Sequence, residues 1–157
     1  MSNSVTPQNS PSLSPSRHSN IFCLYNNSRY YKGGPFDFLP QNIPFSHCQN
    51  IVYWSFSIRD GVPISRDEAF DRKYGLEKLS DIASKARAPD VKILLAVGGY
   101  TEDYAQLSLL GGDSAVLFRF VQRTMALMTS YHLHGVVIHW LEVCIEHRLQ
   151  YRYQELQ

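Results

Sequence analysis

Four short apolar runs constrain this chain more than anything else in it: Ile21–Tyr25 (IFCLY), Ile51–Ile58 (IVYWSFSI), Val91–Gly99 (VKILLAVGG) and Gly135–Leu141 (GVVIHWL). Each is rich in β-branched and aromatic side chains and close to continuously apolar. Strands buried on both faces read this way, which points to a parallel sheet covered by helices.

The segments between the runs fit that arrangement. Tyr74, Leu76, Leu79, Ile82, Ala83 and Ala86 recur at helical spacing, and Pro89 closes the stretch. Val116, Phe118, Phe120, Val121, Met125, Leu127 and Met128 predict a second helix with a broad apolar face, capped by Asp113 or Ser114. The connection from Tyr30 to Gln49 is rich in Gly and Pro and shows little helical periodicity. The third and fourth runs start 44 residues apart (91 to 135), which suits a βα unit with an inserted loop. Patterning alone therefore gives an α/β fold with four parallel strands.

At 157 residues the chain holds one domain of ordinary size. A net charge of +1 gives no electrostatic reason to expect nucleic acid or an anionic membrane as partner. No apolar run reaches the ~18 residues of a membrane span. Residues 1–20 are Ser-, Pro- and Asn-rich and too poor in large apolar side chains to offset the entropy of ordering, so a disordered tail is expected there. The partition is thus tail 1–20 and domain 21–157. That tail lacks the apolar core of a secretory signal, so the sequence as it stands gives secretion no support.

Lys92–Tyr100 (KILLAVGGY) resembles the third strand of glycoside hydrolase family 18, the chitinases and chitinase-like lectins, where LLAIGGW is typical. Tyr53 and Phe56 resemble the YAF of that family's second strand, here with one additional residue. Cys23 and Cys48 match a cysteine pair common in its animal members, and YHLHG (Tyr131–Gly135) matches the approach to the fourth strand. The likeness runs from Ile21 to Leu141 in a continuous order. It implies a (β/α)8 TIM barrel truncated to about its first four strands, since the whole barrel needs about 250 residues.

The resemblance also implies a site. Chitinases of the family carry DGxDxDxE along the fourth strand, using substrate-assisted hydrolysis with a glutamic acid as proton donor. Aligned on its glycine, the motif falls on His134, Gly135, Val137, His139 and Leu141. Positions 137, 139 and 141 would share the barrel face. Leu141 has no proton to give, and loss of a positioned general acid costs on the order of 10²–10⁴ in rate. His139 stands where the acetamido-stabilising aspartate would be but supplies no fixed negative charge. No catalytic residue is therefore expected. Glu142 is the fallback, if a bulge slipped it inward; otherwise it is a solvated charge.

For glycan contact the resemblance implies Phe56, Gly98, Gly99, Tyr100 and His139, whereas Leu24 and Ser28 replace a tyrosine and a tryptophan of the family. Each aromatic could equally be a core residue. His132, His134, His139 and His147 with Cys144 match no common zinc spacing, so no metal and no cofactor is expected. Cys144 with a nearby histidine lacks an oxyanion hole and an orienting acid, which argues against a nucleophile pair.

The resemblance implies a Cys23–Cys48 disulfide closing a loop of about 25 residues, worth roughly 3 kcal/mol. It implies an extracellular setting as well, in conflict with the missing signal. Three functions follow from the sequence. The first is an inactive chitinase-like protein with weak affinity for chitin or N-acetylglucosamine oligosaccharides. The second is a hydrolase using Glu142 or completed by a partner. The third is a half-barrel that self-associates through its open sheet edge.

Overall fold

The computed structural model describes residues 21–31, 33–85 and 91–141. Strands β1 (Phe22–Asn26), β2 (Asn50–Arg59), β4 (Lys92–Gly98) and β5 (Gly135–His139) lie side by side in a parallel sheet of order β1-β2-β4-β5. All four expected runs are strands. A short β3 (Val62–Ile64) turns back antiparallel on the end of β2 through Asp60-Gly61, both at positive φ. Sheet order follows chain order, as successive crossovers of one hand produce.

The helices are α1 (Glu68–Lys73), α2 (Leu76–Lys85), α3 (Thr101–Gly112) and α4 (Ser114–Ser130). Tyr74, expected inside a helix, instead caps α1 and is exposed; Ala86 and Pro89 lie outside the described residues. The loop expected after the third run is helix α3. The α4 cap is as expected, with the Asp113 carboxylate accepting from the backbone N–H of Ala115 and Val116. Its apolar face divides, however. Phe120 is buried and Leu127 and Met128 pack on the core, while Phe118, Val121 and Met125 remain exposed. Among its described residues the Tyr30–Gln49 connection has no α-helix, only short 3-10 turns.

Strand alternation sorts the side chains. Cys23 and Tyr25, Ile51 and Tyr53, Ile93, Leu95 and Val97, and Val136 face the helices and meet Leu76, Leu79, Leu107 and Phe120 in one core. On the other face stand Leu24, Val52, Trp54, Leu94, Ala96, Val137 and His139, which would line a barrel. Cys23 and Cys48 form a disulfide that ties the end of the first connection back to β1, their Cα atoms 5.6 Å apart.

Candidate functional site

The register of β2 against β4 decides which aromatic reaches the barrel face. Tyr53 pairs with Leu95 and Phe56 with Val97, so three residues of β2 oppose two of β4, a bulge that absorbs the additional residue noted in the sequence. Phe56 consequently turns to the helices, 3% exposed in the core, and is closed to a ligand. The residue expected as a glycan contact thus lies in the core. Trp54, half-buried, takes the barrel-facing place.

The Trp54 indole Nε1–H donates to His139 Nδ1 at 2.9 Å. The two residues belong to β2 and β5, with β4 between them, and they meet over Gly98-Gly99. Both glycines adopt positive φ, and a Cβ on Gly99 would stand 2.6 Å from Trp54 Nε1 and 2.8 Å from His139 Nδ1. The space left open at Gly99 is thus occupied by the protein's own Trp54 and His139 side chains. Because Nδ1 accepts, the His139 proton resides on Nε2.

Tyr100 stacks on the Trp54 ring with centroids 4.9 Å apart at 23°. The Arg66 guanidinium lies over the Tyr100 ring, 4.1 Å from its centroid. Arg66 also donates from Nε to Ser55 Oγ at 3.3 Å, pairs with Glu102 at 3.2 Å, and pairs with the carboxylate of Asp103. Asp103 is fully buried; it further accepts from Ser57 Oγ at 2.7 Å and from the Tyr100 backbone N–H at 3.3 Å. The stack Arg66–Tyr100–Trp54–His139 is therefore anchored at one end by a buried ion pair and at the other by a hydrogen bond.

A groove of about 280 Å³ opens beside the stack at the C-terminal end of β1 and β2, between Tyr30, Tyr31, Tyr100 and Arg66, with Asp67 and Glu102 on its rim. Hydrogen bonds from the Tyr30 hydroxyl (2.5 Å) and the Phe70 N–H hold the Asp67 carboxyl below its ordinary range. The same bond pushes the Tyr30 phenol up to about 12. Behind the groove, Asp71 is buried and accepts from Tyr53, from Ser65 at 2.6 Å and from Asn27 at 3.4 Å. Burial raises its carboxyl above the usual range despite those bonds.

The other sequence-derived positions are scattered. His134 precedes β5, its Nδ1 accepting from the Ile93 N–H at 3.2 Å. Val137 and His139 share the barrel face, but β5 ends at His139, so Leu141 falls beyond the strand and is 58% exposed. No side chain of β5 carries an acid. Leu24 is exposed on β1, and Ser28 bonds Asn26 Oδ1 at 2.7 Å. Glu142, Cys144 and His147 lie outside the described residues. Among the described residues no three His, Cys, Asp or Glu side chains gather as metal ligands, and no helix is long and apolar enough to cross a membrane.

The sequence model of glycosyl hydrolases family 18 matches residues 20–150. The endochitinase of Manduca sexta is 24% identical over 123 residues, covering 76% of this chain and 22% of that protein. The crystal structure of the Ostrinia furnacalis Group IV chitinase superposes with a TM-score of 0.71 at 27% identity, over 76% of this chain and 32% of that one. Human YKL-39 shares the fold at a TM-score of 0.65 and 22% identity, again over 76% of this chain and 32% of that one. The chain thus spans about a third or less of the length of the proteins it matches.

Proposed function

Because the chain belongs to glycosyl hydrolases family 18, we propose that it is a chitinase-like protein without hydrolytic activity that binds chitin or N-acetylglucosamine oligosaccharides weakly on its barrel face. The observation that carries this reading is the Trp54–Tyr100–His139 arrangement, an aromatic surface beside a strand that bears no acid. A flat aromatic pair offers the apolar face of a sugar ring a stacking partner, and His139 Nε2–H adds a donor. Neither provides the proton-donating carboxylic acid that glycosidic cleavage requires. Human YKL-39, a neighbour in fold, is described as a pseudo-chitinase with retained chitooligosaccharide binding, the combination proposed for this chain. The Cys23–Cys48 bridge favours an oxidising, extracellular setting, as disulfides persist there.

Equilibrium binding of chitotetraose with product analysis tests the reading. Binding in the millimolar range, abolished by Trp54→Ala and accompanied by no cleavage, is expected. Cleavage that disappears with Glu142→Gln would replace it with the hydrolase reading.

A further inference from the structure

The last residue of β1 begins a triplet with a chemistry of its own. Asn26-Asn27-Ser28 places a hydroxyl two residues after an asparagine with no proline between them, the pattern of an N-linked glycan acceptor. No other asparagine of the chain has Ser or Thr two places on, so the sequence offers one acceptor.

The fold leaves that acceptor open. Asn26 Oδ1 accepts from the Ser28 backbone N–H at 2.9 Å and from the Ser28 hydroxyl at 2.7 Å, which fixes the amide plane through its oxygen. Its Nδ2 has no hydrogen-bond partner among the described residues and is not sealed from solvent. Neighbouring Asn27 differs: it is buried, and its Nδ2 donates to Asp71 at 3.4 Å. A glycan on Nδ2 of Asn26 therefore displaces no hydrogen bond of the fold.

Asn26 pairs in register with Trp54, and Asn27 and Ser28 line the groove beside Tyr30, Tyr31 and Tyr100. Alternation along β1 puts Asn26 with Leu24 on the barrel face, not on the helix side of the sheet. Cys23 on the same strand carries the bridge to Cys48. Structural disulfides form in the oxidising secretory pathway, where asparagines of this pattern meet the glycan donor.

We propose that Asn26 is N-glycosylated and carries its glycan at the mouth of the groove. The proposal rests on the oxidising, extracellular setting argued above, and not on sugar binding or on the lack of hydrolysis. The donor is an oligosaccharide held on a lipid diphosphate through the anomeric carbon of an N-acetylglucosamine. The bond from Nδ2 to that carbon forms as the carbon's bond to the diphosphate oxygen breaks. The lipid diphosphate leaves with the bonding pair, and the amide gives up one of its two protons.

Secretion of the full chain from a eukaryotic host behind a cleavable leader, with intact mass and peptide mapping without reduction, tests this. The expected mass exceeds the 18.0 kDa of the polypeptide by one glycan. Peptide N-glycosidase should release it and convert Asn26 to an aspartate, labelled when the release is run in heavy-oxygen water. Asn26→Gln and Ser28→Ala should each abolish the addition, and Ser28→Thr should keep it. The Cys23–Cys48 bond, read in the same map, reports passage through the oxidising pathway. A bare Asn26 in chains that carry the bond overturns the proposal and leaves the extracellular setting standing. Bare Asn26 with both cysteines free overturns the two together. A glycan that survives Ser28→Ala overturns the proposal as well.

Discussion

Trp54 and His139, 85 residues apart in sequence, meet through a single 2.9 Å hydrogen bond across an intervening strand. Glycine at 99 is what lets them meet, since the chain leaving β4 presents no side chain between them there. His139→Leu removes the acceptor and leaves a half-buried indole N–H unpaired, at a cost of about 1–2 kcal/mol. The Trp54 indole proton should exchange slowly in the parent chain and rapidly in the variant when followed by NMR.

Gly99→Ala should be the more damaging change. It places a Cβ at φ +98°, a region alanine rarely adopts, and within 2.6 Å of Trp54 Nε1. Strain and overpacking together cost about 3 kcal/mol. Urea unfolding would show the lowered midpoint, and loss of the Tyr100–Trp54 stack would appear in the near-ultraviolet circular dichroism.

Arg66→Met strips the buried Asp103 carboxylate of its cation while keeping much of the aliphatic bulk over Tyr100. Breaking a buried pair from one side costs roughly 3–5 kcal/mol, because the remaining charge stays desolvated. The double variant Arg66→Met with Asp103→Leu should recover part of that loss. Absence of recovery would mean that the hydrogen bonds of Asp103 to Ser57 and Tyr100, not the charge pair, carry its contribution.

Much of this was legible in the sequence. The four strands announced themselves through continuous apolarity, and Asp113 through its position before an apolar helix. The placement of Phe56 in the core has a definite cause. One additional residue in YWSF shifts the pleat, and a one-residue shift exchanges faces, so Trp54 replaces Phe56 on the barrel side. The Asp60-Gly61 turn and β3 carried a hairpin signal, D-G between the run ending at Ile58 and the short Val62–Ile64 segment. Arg66 and Asp103 gave no local signal, because their pairing across 37 residues exists only once the segment between β3 and α1 meets α3.

Asp71 gives the fold a pH dependence of definite sign. Burial raises its carboxyl above the ordinary value, so the native state holds a proton that the unfolded chain releases. Its stabilising contribution is fully present below the ordinary carboxylate value and is lost as pH rises through the raised native one. Denaturant unfolding between about pH 4 and pH 7 should show the parent chain losing stability relative to Asp71→Asn as pH rises. Parallel curves would place the titration of Asp71 outside that window.

Removing the Cys23–Cys48 bridge by alanine at both positions should cost roughly 3 kcal/mol, the loop-closure entropy of about 25 residues. The bridge fastens the turn-rich first connection to β1, so hydrogen exchange should quicken first in residues 33–48. Uniform quickening throughout the chain would show that the bridge restrains the whole domain.

The functional reading stands or falls on one titration. Chitotetraose added to the folded chain, with the Trp54 indole resonance and the sugar's anomeric signals followed together by NMR, should move Trp54 saturably in the millimolar range and leave the sugar intact. New reducing-end signals, or an indole resonance indifferent to saturating sugar, would contradict it.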